Sequence, residues 1–374
     1  MKAFKIKNGL QAGRYLGSNG TETAGSVGYD LAGASYDSVS FSVAAQEISP
    51  YGLFFKPDGT KMYVTGYDGD DVNEYNLSTA WDITTASYLQ NFSVVSQEIS
   101  PTGISFKPDG LKMYVVGEVS ANVNEYTLGT AWDISTASYS QNFNIGTQDT
   151  EPSSLFFKPD GLKMYVVGNT GNDINEYDLS SAWDVSTSTF LQVFSVSAQT
   201  TAPHGIFFNL TGTSMYVLAQ SGYLSEYTLG TAWDISTASY SQNFSVVSQD
   251  NSTTDIFFKP DGTKLYMVGI TTDKVYQYST VAYTQALDLS TGTTFSFTPS
   301  GATTVSLTNP PATGIAIGFT VEIIGDASAI TWPSSVKWPA GVAPTATATK
   351  ELYTFVTTDG GTTYYGKKAA EGIS

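Results

Sequence analysis

Residues 125–143 read EYTLGTAWDISTASYSQNF, and the same nineteen letters return at residues 226–244. A blurred copy, EYDLSSAWDVSTSTFLQVF, lies between them at residues 176–194. The tetrapeptide Lys-Pro-Asp-Gly sets the period: it falls at 56–59, 107–110, 158–161 and 259–262, with Asn209-Leu210-Thr211-Gly212 in the remaining slot. The spacings are 51, 51, 51 and 50 residues, and Trp81, Trp132, Trp183 and Trp233 follow in step, with Tyr283 in the fifth place. A chain written this way must stack copies of one supersecondary unit.

Each unit reads as four short strands. An apolar piece such as Gly205-Ile206-Phe207-Phe208 comes first, then a Pro-Asp-Gly turn, in which Pro presets φ and Gly accepts a positive one. Lys-Met-Tyr-Val-Val-Gly (112–117) and Val-Asn-Glu-Tyr-Thr-Leu (123–128) follow, and a Trp-bearing connection leads to a fourth strand. There Tyr139, Gln141, Phe143 and Ile145 alternate with Ser140, Asn142 and Asn144, the period of a half-buried strand. A four-stranded sheet cannot cover both its faces alone, and a ring of such sheets covers them and removes most free edges. The expected fold is all-β: a five-bladed β-propeller with four-stranded blades over residues 29–283. Ring closure is legible too. Residues 36–43 (YDSVSFSV) match a fourth strand without a blade, and the fifth repeat loses its pattern after Tyr278, so the first should complete the last. A sixth, degenerate blade from residues 15–34 and 284–298 is the less economical option.

From about residue 284 the texture changes to six or more non-repeating strands, which predicts a C-terminal β-sandwich over 284–374. Residues 1–28 form an N-terminal arm, and Ala3–Lys7 would add a strand to that sandwich. The block ITWPSSVKWPAGVAPTATATKELYTFVTTDGGTTYYG (330–366) resembles a module at the C-termini of many bacteriophage tail-fibre and virion proteins. KIKNGLQAGRYL and the tandem PDGTKMYV and AWDISTASY units likewise resemble virion structural proteins of marine phages. The resemblance implies a non-enzymatic virion component: a tail fibre, head fibre or decoration assembled in the host cytoplasm. Other virion proteins would be its partners, together with further copies of itself, a trimer being the fibre-like arrangement, and a host-surface glycan. The alternatives are a bacterial lectin or adhesin and, behind it, a glycan-degrading propeller.

Composition bounds the partners. A net charge of −17 with a single arginine, Arg14, opposes binding to phosphate backbones, so nucleic acid is not an expected partner. With no cysteine there is neither a disulfide nor a thiolate metal site. The residues 1–15 lack the apolar core of a secretory signal, and the run Gly314–Ile324 is too short to span a bilayer, so neither export nor membrane insertion is expected.

Candidate chemistry is sparse. A propeller glycosidase needs two carboxylates converging on the channel, and the expected inner strands hold none, with only Asp255 at the entrance of one. His204, the sole histidine, stands where other repeats have Tyr51, Thr102, Ser153 and Thr254. It reads as a polar residue at the channel mouth or, with Tyr51 and Asp255, as a ligand contact. The four tryptophans read as plugs that pin a long turn to its blade; their alternative role is stacking on sugar rings. Asp58, Asp109, Asp160 and Asp261 belong to turn geometry, and Glu74, Glu125, Glu176 and Glu226 to hydrogen bonding between strands. Asp68, Asp70 and Asp71 are a weak calcium candidate without an EF-hand pattern. No catalytic residue, resident metal or cofactor is expected. The connections between second and third strands, such as 67–71 and 118–122, vary freely between copies, and recognition on a rigid scaffold is usually written in such loops.

Overall fold

The computed structural model describes residues 14–16, 22–24, 29, 31–280, 283–297, 303–324, 330–344 and 350–371. Five four-stranded antiparallel sheets make up the repeats. In the second blade the order is Pro101–Phe106, Lys112–Gly117, Asn122–Leu128 and Ala137–Asn144, with each strand hydrogen-bonded to the next. The inner strands Pro50–Phe55, Pro101–Phe106, Pro152–Phe157, Pro203–Phe208 and Thr253–Phe258 each pack beside the next, and the last returns to the first. The ring has five blades; Tyr283–Asp288 pairs with Thr303–Thr308 instead of founding a sixth.

Closure is made as the orphan strand implies. Ser35–Ser42 is the outer strand of the blade begun by Thr253–Phe258, Lys264–Gly269 and Lys274–Ser279. Val43 N–H donates to the carbonyl of Asp273 (2.9 Å), and the Ser279 hydroxyl donates to Asp37 (2.7 Å). Phe41 meets Tyr75 of the first blade edge-on at 5.6 Å. The same pair recurs between successive blades as Phe92–Tyr126, Phe143–Tyr177, Phe194–Tyr227 and Phe244–Tyr278. One aromatic contact therefore repeats at all five junctions, the one formed by the N-terminal segment included.

Three devices bind blade to blade. Apolar residues from facing sheets interdigitate: Met113, Val115 and Tyr126 of the second blade share a core with Tyr63 and Val72 of the first. Buried tyrosines reach across: Tyr63, Tyr114 and Tyr165 donate their phenol protons to the carbonyls of Trp132, Trp183 and Trp233. The repeated glutamate does the same from its strand. Glu125 is buried, ion-paired to Lys112 (2.6 Å), accepts from Gln141 (3.0 Å), and reaches Val185 N–H of the next blade (3.3 Å). A buried charge is tolerated only when satisfied in this way.

The tryptophan turn is locally determined. Trp132 adopts φ 64°, Asp133 caps a short 3-10 helix, Ile134–Thr136, by accepting from Ser135 N–H, and Ile134 is buried. The indole lies on Gly110 of the Pro-Asp-Gly turn, where φ is +74° and a Cβ would run into the ring. It also packs against Phe106, 5.4 Å away, and against Phe54 of the first blade at 6.4 Å. Each tryptophan thus bolts the connection to its own blade, and burying such a ring contributes roughly 2–3 kcal/mol.

The chain divides into two compact units, Ser38–Tyr278 and a second made of Met1–Asp37 with Ser279–Ser374. In the second unit, a three-stranded sheet holds Tyr283–Asp288, Thr303–Thr308 and Ile330–Thr331. A five-stranded sheet holds Thr294–Phe297, Ile317–Ile323, Glu351–Thr357, Tyr364–Glu371 and Val336–Lys337, in that order. Successive strands from Tyr283 to Lys337 alternate between the two sheets and pair in parallel with the next strand but one in several places. Leu287 and Val305 of the first sheet share a core with Phe319, Val321, Tyr353 and Phe355 of the second. Parallel neighbours set this arrangement apart from an immunoglobulin-like sandwich, whose sheets are antiparallel. The strand expected at Ala3–Lys7 lies outside the described residues, and Arg14–Leu16 pairs with Glu22–Ala24.

Candidate active site in the propeller channel

The five inner strands run in the same sense around the axis, so equivalent residues form layers. The first layer, at the bulge that opens each strand, is Tyr51, Thr102, Ser153, His204 and Thr254. Three of its small hydroxyls turn to the neighbouring blade: Thr102 donates to the Pro152 carbonyl (2.8 Å), Ser153 to Pro203 (3.0 Å) and Thr254 to Pro50 (2.9 Å). Tyr51 and His204 are too large for that bond and face each other across the mouth, ring centroids 6.0 Å apart.

The second layer is Gly52, Gly103, Ser154, Gly205 and Asp255. A Cβ on Gly205 would stand 2.9 Å from Asp255 Oδ1, so the side chain missing at Gly205 makes room for the carboxyl group. Asp255 lies inside its strand, not at the entrance, and it is buried. Oδ2 accepts from Leu53 N–H (2.9 Å), and Oδ1 accepts from Ile256 N–H (2.9 Å) and from the Ser154 hydroxyl across the channel (3.3 Å). Burial outweighs these three donors and pushes its pKa up to about 8. The inner strands therefore do carry an acid, held neutral at pH 7.

Below Asp255 the layer Phe54, Ser105, Phe156, Phe207 and Phe257 narrows the channel. Phe257 meets Phe54 (5.1 Å) and Phe207 (5.4 Å), and Phe207 meets Phe156 (5.3 Å). Ser105 is the gap in this aromatic wall. A cavity of about 260 Å³ lies here, lined by the phenylalanines, Ser105, Ser154 and Asp255, with Pro57, Pro108, Pro159 and Leu210 at its exposed rim.

Of the tryptophans, Trp183 also lines this cavity. Trp132 and Trp183 are buried, and Trp81 and Trp233 half-buried, each with its indole against a turn glycine. Asp71 accepts from Asn73 (2.7 Å) and Asn91 (2.5 Å), while Asp68 accepts from Ser49 (2.7 Å). Among the described residues no group of three or more His, Cys, Asp or Glu is arranged to hold a metal ion. His204 is buried, and desolvation lowers its pKa to about 4. Missed in the sequence was a second acidic series, Glu47, Glu98, Asp149 and Asp250, broken by Thr200. Each carboxylate caps backbone N–H groups of two loops, as Glu98 does for Ser100 and Ser120. The period itself would have shown it.

The propeller fold has counterparts. Residues 46–228 match the family model of lactonase, a 7-bladed β-propeller. This chain closes with five blades where that description has seven. No curated protein matches in sequence. Similar solved structures include a functionally unknown protein from Desulfotomaculum acetoxidans (16% identity, TM-score 0.40, covering 59% of this chain and 65% of that one). Another is a candidate 6-phosphogluconolactonase from Bacteroides uniformis (11% identity, TM-score 0.40, covering 61% of this chain and 65% of that one). The chain thus spans 65% of the length of each of these two relatives.

The match with lactonases overturns the expectation of a non-enzymatic phage virion component. The physical reason lies in the channel. Near-identical repeats argued against an asymmetric centre, but the repeats differ where they face the axis, and Ser154, Asp255 and Ser105 break the symmetry there.

Proposed function

We propose that the propeller is a lactonase-type hydrolase that opens small, largely apolar cyclic esters in the cavity below Asp255. The observation that carries this reading is a buried carboxylic acid, neutral at pH 7, on the wall of an apolar cavity. The similarity of residues 46–228 to lactonases supports it. In ring opening, the oxygen of a water molecule adds to the ester carbon and the bond from that carbon to the ring oxygen breaks. Asp255 gives its proton to the departing ring oxygen, and the proton lost by the water returns the carboxylate to its neutral form. Ser154 orients the acid. The raised pKa of Asp255, about 8, suits a general acid at pH 7, and the phenylalanine walls exclude bulk water and favour an apolar ring. We also propose that the two C-terminal sheets act as a sandwich-like accessory unit.

The test is a panel of γ- and δ-lactones of increasing alkyl length, followed by proton release at pH 7. The expected result is turnover above the buffer rate that disappears in Asp255→Asn, with circular dichroism showing that variant folded. Equal rates for wild type, variant and buffer across the panel contradict the proposal.

A further inference from the structure

We propose that the loop-side mouth of the channel, on the far side of Asp255 from the hydrolytic cavity, is a separate binding site for a primary ammonium group. The site is built from Tyr51, Tyr67, His204 and Glu118. The rings of Tyr51 and Tyr67 are stacked, centroids 4.8 Å apart and 27° between planes, and the His204 ring lies 6.0 Å from Tyr51. The Tyr67 phenol donates to Glu118 Oε2 at 3.2 Å, which fixes that carboxylate beside the aromatic pair.

Two independent features point to a ligand here. His204 is 4% exposed, and its Nδ1 has no hydrogen-bond partner. A buried imidazole nitrogen without a partner is costly. Desolvation keeps the ring neutral at pH 7, so it offers a lone pair to an N–H donor. Carboxylates also gather without cations. Glu118 feels Glu151 and Glu98, and burial together with that repulsion raises its pKa. Asp68 lies close enough to raise the pKa of Tyr51. Among the described residues, Glu118, Glu151 and Asp68 make no ion pair, whereas Lys56, Lys107 and Lys158 pair within their own turns.

Electron-rich ring faces attract a cation, and uncompensated carboxylates strengthen that preference. A lone-pair acceptor further demands that the cation carry N–H bonds. A primary ammonium on an alkyl stem meets all three requirements, and a quaternary one does not. The position fits as well: Tyr67 and Glu118 open the connections that vary between repeats, while Tyr51 and His204 are the two mouth residues that do not join the hydroxyl ring.

The probes are n-butylammonium, its neutral counterpart n-butanol, and tetramethylammonium, titrated into the whole protein and followed through the His and Tyr ring protons by NMR. Saturable shifts are expected for n-butylammonium, with binding weakened at least about tenfold in Glu118→Gln. Tyr67→Leu, which leaves the inner strands untouched, should weaken it as well. Butanol binding as tightly as butylammonium, tetramethylammonium binding as tightly, unchanged affinity in both variants, or no saturable shift at all would each overturn the proposal.

Discussion

The phenol of Tyr266 donates a hydrogen bond of 2.6 Å to the carbonyl of Trp81, across 185 residues of chain. Tyr63, Tyr114 and Tyr165 make the same latch to the blade that follows each of them. The tie from the fifth blade to the first is therefore the ordinary junction of the ring, made at its seam.

Tyr266→Phe removes that one hydrogen bond and leaves the ring packing against Phe55 in place. The expected loss is about 1 kcal/mol, the net worth of a typical hydrogen bond. Tyr114→Phe, at an interior junction, should lose a similar amount. Urea unfolding of the two variants checks this, and the m-values should stay at the wild-type value.

Gly110→Ala should cost more. The residue sits at φ +74° and its Cβ would enter the Trp132 indole, so strain and displacement of the ring combine. Roughly 1–3 kcal/mol is expected from the backbone strain alone. Tryptophan fluorescence should shift to the red as Trp132 leaves its place. Gly129→Ala is the control: nothing stands nearer than 3.6 Å to a Cβ there, and its stability should remain near wild type.

Most of the architecture was legible because the repeat exposes it five times over. The Pro-Asp-Gly turns, the alternation of Tyr139 to Ile145 and the orphan strand at residues 36–43 each carry a local physical reason that needs no tertiary knowledge. The channel was not legible in the same way. Asp255 looks like one acid among many until the glycine at 205 is seen to clear its space, and that relation joins residues 50 positions apart. The repeats also misled. Their near-identity lies in the turns and outer strands, and the residues that face the axis vary most where chemistry would be placed. In the C-terminal unit the strands were visible, but the sheet to which each belongs was not, because parallel pairing leaves no hairpin turn to read.

Stability should depend on pH in two opposed windows. Asp255 titrates near 8 when folded and near the ordinary 3.8 when unfolded, so the folded state binds more protons between those values. Its contribution is complete at low pH and fades as pH rises toward 8. His204 is lowered from 6.5 to about 4, so its burial opposes folding in acid and ceases to do so above 6.5. Between pH 6.5 and 8 the Asp255 effect stands without the histidine's. Wild-type stability relative to Asp255→Asn should fall there by up to about 1.4 kcal/mol per pH unit. Denaturant melts at half-unit steps of pH measure the difference directly.

The account rests on a carboxylic acid kept neutral in the channel, and NMR of protein labelled with ¹³C at the aspartate carboxyls reads that state. One carboxyl resonance should titrate near pH 8, vanish in Asp255→Asn, and shift when a bound lactone occupies the cavity. A spectrum in which every aspartate has lost its proton well below neutrality would contradict the account.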